Sequence, residues 1–315
     1  MQIVNVPAEH CPPRIVADIN RAYGWNIEQH FHEWLVHNYH TCEDSVNVSY
    51  LPVYWWNNAV IAYRNRSRDG FHAIEATQRF VDSLPLGVQY ATVSRGADGI
   101  YERMPKSAVV FSAGGGGHFP IPHLCEIERH MTAPLDKKLL ASFVGNLTPG
   151  GPEIPRPPGR SSRNPNGAGT RVRQAMVKAF EGDATCQIID QHMVSWSEKN
   201  LDRHRHFCDI AADSWFGLAP RGYGKTSYRL YEMFSLGSIP VYIYDEPWLP
   251  YLDKLDWTEF AVLCHESELP GLPDRLRAIS IEQRLAMLDR ASALFESYFT
   301  PDGVCRQIMR YMELL

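Results

Sequence analysis

Short unbroken apolar runs alternate along this chain with longer stretches in which an apolar residue returns every third or fourth place. The first kind marks buried strands and the second amphipathic helices, so the alternation predicts an α/β protein. In IEQHFHEWLVHNY, residues Ile27, Phe31, Trp34 and Leu35 fall on one helical stripe. VNVSYLPVYW, VQYATVS and AVVFSAGGGG read as strands ending in loops, with AIEATQRFVDSL as a helix between them. Together they predict a small Rossmann-like unit. A second unit opens with the strand LLASFVGN at 139–146 and continues through helix TRVRQAMVKAF, strand CQIID, the segment NLDRHRHFCDIAADS, and strand WFGLAP. Helix SYRLYEMFSL, strands IPVYIY and FAVLC, and two closing helices, ISIEQRLAMLDRASALFESY and VCRQIMRYMELL, complete it. The expected boundaries are 1–132 for the first unit, 133–297 for the second, and a last helix, 298–315, packing back toward the first. Two such halves place a ligand cleft between them, at the carboxyl ends of the strands.

Composition narrows the class. The 315 residues are 44% hydrophobic and 21% charged, ordinary for a packed protein of two domains. A formal charge of −5 argues against a dedicated nucleic-acid binder, which would be basic. Seven cysteines, scattered and without a C-x-x-C pair, suit reduced thiols better than a disulfide framework or a zinc module. The N-terminus lacks a signal-peptide pattern and no run reaches the length of a membrane span, so the expectation is a soluble, cytoplasmic protein. The stretch 147–169, dense in Pro, Gly and Arg, reads either as a flap over an anionic ligand or as a solvated insertion.

Two familiar patterns lead nowhere. HEWLVH spaces its histidines i, i+5, whereas two zinc ligands on one helix face need i, i+4, so no metal site is expected. GGGGHFP looks like a lipase oxyanion loop, but no G-x-S-x-G elbow accompanies it.

The chemistry concentrates in PRGYGKTSYRLYE, at 220–232. Its GKT suggests a P-loop of a kinase or ATPase, yet the first glycine of that motif would fall on Ala219. A second reading keeps the phosphate and drops the P-loop. The turn Arg221-Gly222-Tyr223-Gly224-Lys225 leads into a helix whose N-cap is Thr226 or Ser227, a ready anion site. Arg221, Lys225 and Arg229 add charged donors. Arg229 and Glu232 share a helix face, the one suited to phosphate and the other to the two hydroxyls of a ribose, unless they are simply an ion pair on a solvated helix.

The run from Leu218 onward resembles the exostosin family, glycosyltransferase family 47. The resemblance rests on Pro220, Gly222, Ser227, Arg229, Glu232, Gly237, Ile239-Pro240-Val241, Asp245, Pro250 and Leu255-Asp256-Trp257. LLASFVGN, followed after a loop by Arg171 or Arg173, is similar too; over the first half only YLPVYW and FPIPH look alike. The resemblance implies a GT-B type fold, two Rossmann-like domains facing across a cleft. The N-terminal one would bind the acceptor and the C-terminal one the nucleotide-sugar. It also implies an inverting, β-forming transfer from a UDP-sugar to a glycan hydroxyl, by a short soluble member of the family. Arg221, Ser227 and Arg229 would then hold the diphosphate and Glu232 the ribose, with Arg173, Gly222, Lys225 and Thr226 completing the donor site. Because a positive cradle of this kind can stabilise the leaving diphosphate, no metal cofactor is expected. A catalytically inactive glycan-binding protein of the same fold is the remaining alternative.

Inversion requires a base on the acceptor hydroxyl, supplied by the N-terminal domain. The candidates are Asp98 in SRGADGIYER, then His118 after the glycine run at 114–117, then Glu33. The aromatic loop PVYWWNN offers Tyr54, Trp55 and Trp56 to stack on the acceptor, with burial at the domain interface as the competing role for the tryptophans.

Overall fold

Parallel pairing throughout organises the chain. In a computed structural model describing residues 1–11, 26–42, 47–64, 68–97, 99–125, 136–149, 167–191 and 198–315, ten strands form two five-stranded sheets. The first has the order β1 (Gln2–Ile3), β2 (Ser49–Tyr50), β3 (Tyr90–Ser94), β4 (Ala108–Ser112), β5 (Phe119–Pro120). Around it lie α1 (Ile27–Cys42), α2 (Trp55–Arg64) and α3 (Arg68–Asp82).

The second sheet contains β6 (Leu139–Gly145), β7 (Cys186–Asp190), β8 (Ser214–Pro220), β9 (Ile239–Tyr244) and β10 (Val262–His265), in the order β10-β9-β8-β6-β7. Its helices are α4 (Ala168–Ala179), α5 (Glu198–Ala212), α6 (Tyr228–Ser235), α7 (Leu272–Ala278) and α8 (Ile281–Tyr298). A strand covered on both faces reads as an unbroken apolar run, and every residue of β8 is buried. After β7 the chain returns to the other side of β6, which makes the gap between β6 and β8 a topological switch point.

The last helix, α9 (Pro301–Met312), is capped by Thr300, whose hydroxyl accepts from Gly303 N at 3.1 Å. Its apolar face, Val304, Ile308, Met309 and Met312, shares a core with Ile27, Phe31 and Leu35 of α1. Tyr311 closes that contact with its ring 5.4 Å from Phe119, a pair of the kind worth about 0.5–1.5 kcal/mol. No helix among the described residues is long and apolar enough to cross a membrane.

The carboxyl ends of the two sheets meet. Trp248, just past β9, donates its Nε1 to the Ser112 carbonyl that ends β4, at 3.0 Å. Lys225 N donates to Gly114 O at 3.2 Å. Two Rossmann-like units facing each other in this way are the GT-B arrangement.

Three local expectations change. The strand VNVSYLPVYW shortens to Ser49–Tyr50, and the expected aromatic loop becomes the start of α2. NLDRHRHFCDIAADS forms α5. The proposed flap falls mostly on residues 150–166, outside the described residues.

Candidate functional site

At Ala219 the chain is still a strand, paired with Tyr242 of β9. The position a P-loop reserves for its first glycine therefore lies inside the sheet, and the turn after β8 is too short to be one. It runs from Arg221 to Ser227 and closes on itself through Gly222 N to Thr226 O, 3.0 Å. Ser227, in extended conformation, caps α6 by accepting from Arg229 N at 3.3 Å. The N–H groups of Gly224, Thr226, Ser227 and Tyr228 donate to no group among the described residues. Thr226 is buried and its hydroxyl lies against Tyr231. The α6 N-terminus thus opens at the switch point, an anion site by geometry.

The arginines gathered there are not equivalent. Arg173 of α4, 7% exposed, spends all three nitrogens on backbone carbonyls: Nε on Arg221 O, Nη2 on Pro220 O, and Nη1 on Asn146 O. It ties the ends of β6 and β8 together. Burial, helped by the nearby Arg229 charge, pushes it down to about 9.

Arg221, 4% exposed, donates Nη1 to both oxygens of Asp245 at 2.5 and 2.7 Å, Nε to Gly224 O, and Nη2 to Tyr223 O. Burial opposes ionisation of Asp245, but the Arg221 contact outweighs it and holds the carboxyl below its ordinary range. The donors of Arg221, the residue expected at the diphosphate, are directed to Asp245 and to the carbonyls of the turn.

Arg229 differs. Its plane lies 3.7 Å from the centroid of the buried Phe207 ring of α5, Nε donates to Val144 O at 2.9 Å, and Nη1 pairs with Glu232. Nη2 makes no hydrogen bond among the described residues. Glu232 is therefore already engaged by Arg229, on the same face and beside the open edge. Lys225 is also engaged: its ammonium meets Glu246 at 2.5 Å and lies over the Trp248 ring, away from the switch point. The structure thus brings Arg173, Arg221, Gly222, Thr226, Ser227, Arg229 and Glu232 to one crevice and turns Lys225 toward the first unit.

On the facing side the expectations fare unevenly. Asp98 lies outside the described residues. His118 is placed on the exposed edge of the first sheet, where its Nδ1 accepts from Val110 N at 3.0 Å. It partners mid-β4 rather than a strand end. Glu33 is exposed on α1 and accepts from Gln29. Trp55 is core: it is 3% exposed, and its Nε1 donates to Thr92 Oγ1 at 2.8 Å because a buried indole N–H needs a partner. Tyr54, 5% exposed, meets His32. Of the three aromatics proposed for the acceptor, only Trp56 keeps part of its surface open. Among the described residues no three His, Cys, Asp or Glu side chains converge on a point that would hold a metal ion.

Sequence reasoning missed Glu28. In the first turn of α1 and 1% exposed, its carboxyl accepts from Trp56 N (3.1 and 3.2 Å) and Arg95 N (2.9 Å). Burial pushes it up to about 8, against those N–H bonds. His123, also buried, is driven down to about 3 by burial and then by the Arg95 charge.

Both shifts contribute to the pH dependence of stability. Glu28 favours the fold most below its ordinary value of 4.5, and that contribution is lost as pH climbs through 8. His123 contributes above 6.5, and its share is lost as pH falls toward 3. Between 4.5 and 6.5 the two oppose each other; from 6.5 to 8 the Glu28 shift lowers stability as pH rises. The melting temperature is expected to fall by a few degrees over that interval in the wild type and to stay level in Glu28→Gln. An equal fall in both would remove Glu28 as the cause.

The profile of the exostosin GT47 domain matches residues 114–279, the segment that carries the turn, α6 and the crevice. Exostosin-1 of Drosophila melanogaster is 28% identical over 177 residues, 53% of this chain and 21% of that protein. The Exostosin-1 homolog of Caenorhabditis elegans is 25% identical over 142 residues, 42% of this chain and 37% of that protein. The matched stretch spans well under half the length of these curated relatives. Among solved structures, TarM is 6% identical with a TM-score of 0.41, covering 76% of this chain and 53% of its own. Sucrose-phosphate synthase from Thermosynechococcus elongatus is 10% identical with a TM-score of 0.41, covering 94% and 75%.

Proposed function

The chain belongs to the exostosin GT47 family, and from that premise we propose that it transfers a sugar from a UDP-sugar to a hydroxyl of a glycan, with inversion and without a metal ion. The observation that carries this reading is the open edge of Arg229 beside Glu232, at the switch point of a parallel sheet and at a helix N-terminus. A diphosphate seated there meets the Arg229 guanidinium and the unpartnered N–H groups of the turn, while Glu232 accepts from the ribose.

As the glycosidic bond breaks, negative charge grows on the leaving diphosphate. Donors already fixed by Phe207, Val144 and the Ser227 cap stabilise that charge without reorganising. The acceptor enters from the first unit. Ala97, the neighbour of Asp98 in the chain, borders both Gly114 and Gly224, so we retain Asp98 as the base that takes the hydroxyl proton. Trp56 is the aromatic residue retained for the acceptor.

A thermal-shift series with UDP, GDP and ATP, each in EDTA and then in Mg²⁺, tests the proposal. A ligand at about a hundred times its Kd adds ~2.7 kcal/mol, enough to raise the midpoint by several degrees. Stabilisation by UDP in EDTA is the expected result. Stabilisation only by ATP with Mg²⁺ would overturn it.

A further inference from the structure

A line of buried contacts crosses from the first unit to the helix that carries Arg229. Asn26 Oδ1 accepts from Glu28 N at 3.0 Å, and Asn26 Nδ2 reaches Asn57 Oδ1 at 3.3 Å. Glu28 then collects the backbone N–H of Trp56, near the start of α2, and of Arg95, the first residue after β3. One carboxyl on α1 therefore holds the start of α2 and the end of a central strand.

Arg95 is itself 5% exposed, and its Nε donates to the Tyr228 hydroxyl at 2.8 Å. The guanidinium also stands over that ring, 5.8 Å from its centroid. On the ring itself His123 lies stacked, with centroids 4.1 Å apart. Tyr228 is the first residue of α6, and the next residue is Arg229.

We infer that Glu28, Arg95 and Tyr228 form a buried tie through which the first unit sets the position of the α6 N-terminus, and hence of Arg229. Glu28 and Arg95 are positioning residues: they act on the reaction through α6 and touch neither donor nor acceptor. The consequence deepens the proposed function and rests on it. Acceptor-side and donor-side groups must keep one register for in-line transfer, and an error of an ångström at such a site is costly. A hydrogen bond from a buried charged group carries that register better than apolar contact, because its length and direction are fixed and its loss leaves a buried guanidinium short of an acceptor.

The test uses the full chain with Tyr228→Phe, Arg95→Ala and the double variant. Tyr228→Phe removes the hydrogen bond while keeping the ring for His123, so the fold survives. Two readouts are taken: hydrogen exchange of the α6 amides, without ligand, and UDP affinity by calorimetry. Each single variant is expected to speed exchange at the start of α6 while leaving β3 and β4 unchanged, and to weaken UDP binding by about 3- to 10-fold. That is the loss of one hydrogen bond. The double variant should bind no more weakly than Arg95→Ala alone, since both remove one interaction. Glu28→Gln, which keeps an acceptor oxygen for Arg95 N, should restore the α6 protection that Glu28→Ala loses.

If the wild type binds no UDP but α6 exchange responds as described, the tie stands and the donor reading falls. Wild-type UDP binding combined with unchanged exchange and affinity in both single variants would overturn the tie. Failure of Glu28→Gln to restore protection would remove Glu28 from it.

Discussion

Arg229→Ala is expected to weaken UDP binding by about 10- to 100-fold, the range for losing one or more charged hydrogen bonds, with some fall in melting temperature because Glu232, its side chain 13% exposed, loses its partner. Its other partners within the protein are the Val144 carbonyl and the face of Phe207. What the side chain offers beyond those partners is the Nη2 edge, so its removal is felt mainly by the ligand. Arg221→Ala should behave in the opposite way. It leaves Asp245 with the Glu246 N–H at 2.8 Å and Arg171 at 3.5 Å, and strips donors from the Gly224 and Tyr223 carbonyls. Breaking a buried pair by removing one partner costs roughly 3–5 kcal/mol, a fall of about 5–10 °C at this size. UDP then binds less well only because the turn has lost its shape. Calorimetric titration and thermal melting of both variants decide the matter. Wild-type UDP affinity in Arg229→Ala, or wild-type melting of an Arg221→Ala protein that no longer binds UDP, would exchange the two assignments.

That difference between two arginines marks where the sequence stops being legible. Both stand in one motif and both carry a charge that suits phosphate. What decides between them is Asp245, at the far end of β9, and Phe207 on α5, neither of which can be paired with them by spacing. Elements in the second unit were readable because parallel strands covered on both sides keep unbroken apolar runs, as in SWFGLAP and IPVYIY. Helix α5 was not, because its buried residues, Phe207, Cys208, Ile210 and Ala211, crowd into its second half behind the polar NLDRHRH.

In the first unit, β1, β2 and β5 are pairs of residues too short to show a period. Trp55 and Trp56 look alike as letters. Their backbone starts a helix, so one indole turns into the sheet toward Thr92 and the other keeps an open face. Glu28 gave no signal at all, since its partners lie 28 and 67 residues away in the chain.

Two glycines of the turn separate the protein's own demands from those of its ligand. A Cβ on Gly224 would stand 2.2 Å from the Gly114 carbonyl oxygen and 3.0 Å from Ala97 Cβ, both fixed to the first unit's backbone. Nothing there can swing aside, so Gly224→Ala must push the turn off the 114–117 loop and break the Lys225 N to Gly114 O bond. A lower melting temperature and loss of transfer are expected together. At Gly222 a Cβ would meet only Arg173 Nη2 and Thr226 O, each at 3.5 Å, ordinary contact. No positive φ forbids a side chain there. Alanine therefore fits the empty protein, and its smaller unfolded-state entropy even favours the fold by about 0.4–1 kcal/mol. If the diphosphate lies along this turn, the same methyl group occupies ligand space. Gly222→Ala should then melt at or just above the wild-type temperature without UDP and gain little or nothing from UDP at a concentration that raises the wild type by several degrees. A UDP-induced shift equal to that of the wild type would move the diphosphate off the turn, and the site would have to be sought along β6 and α5 instead.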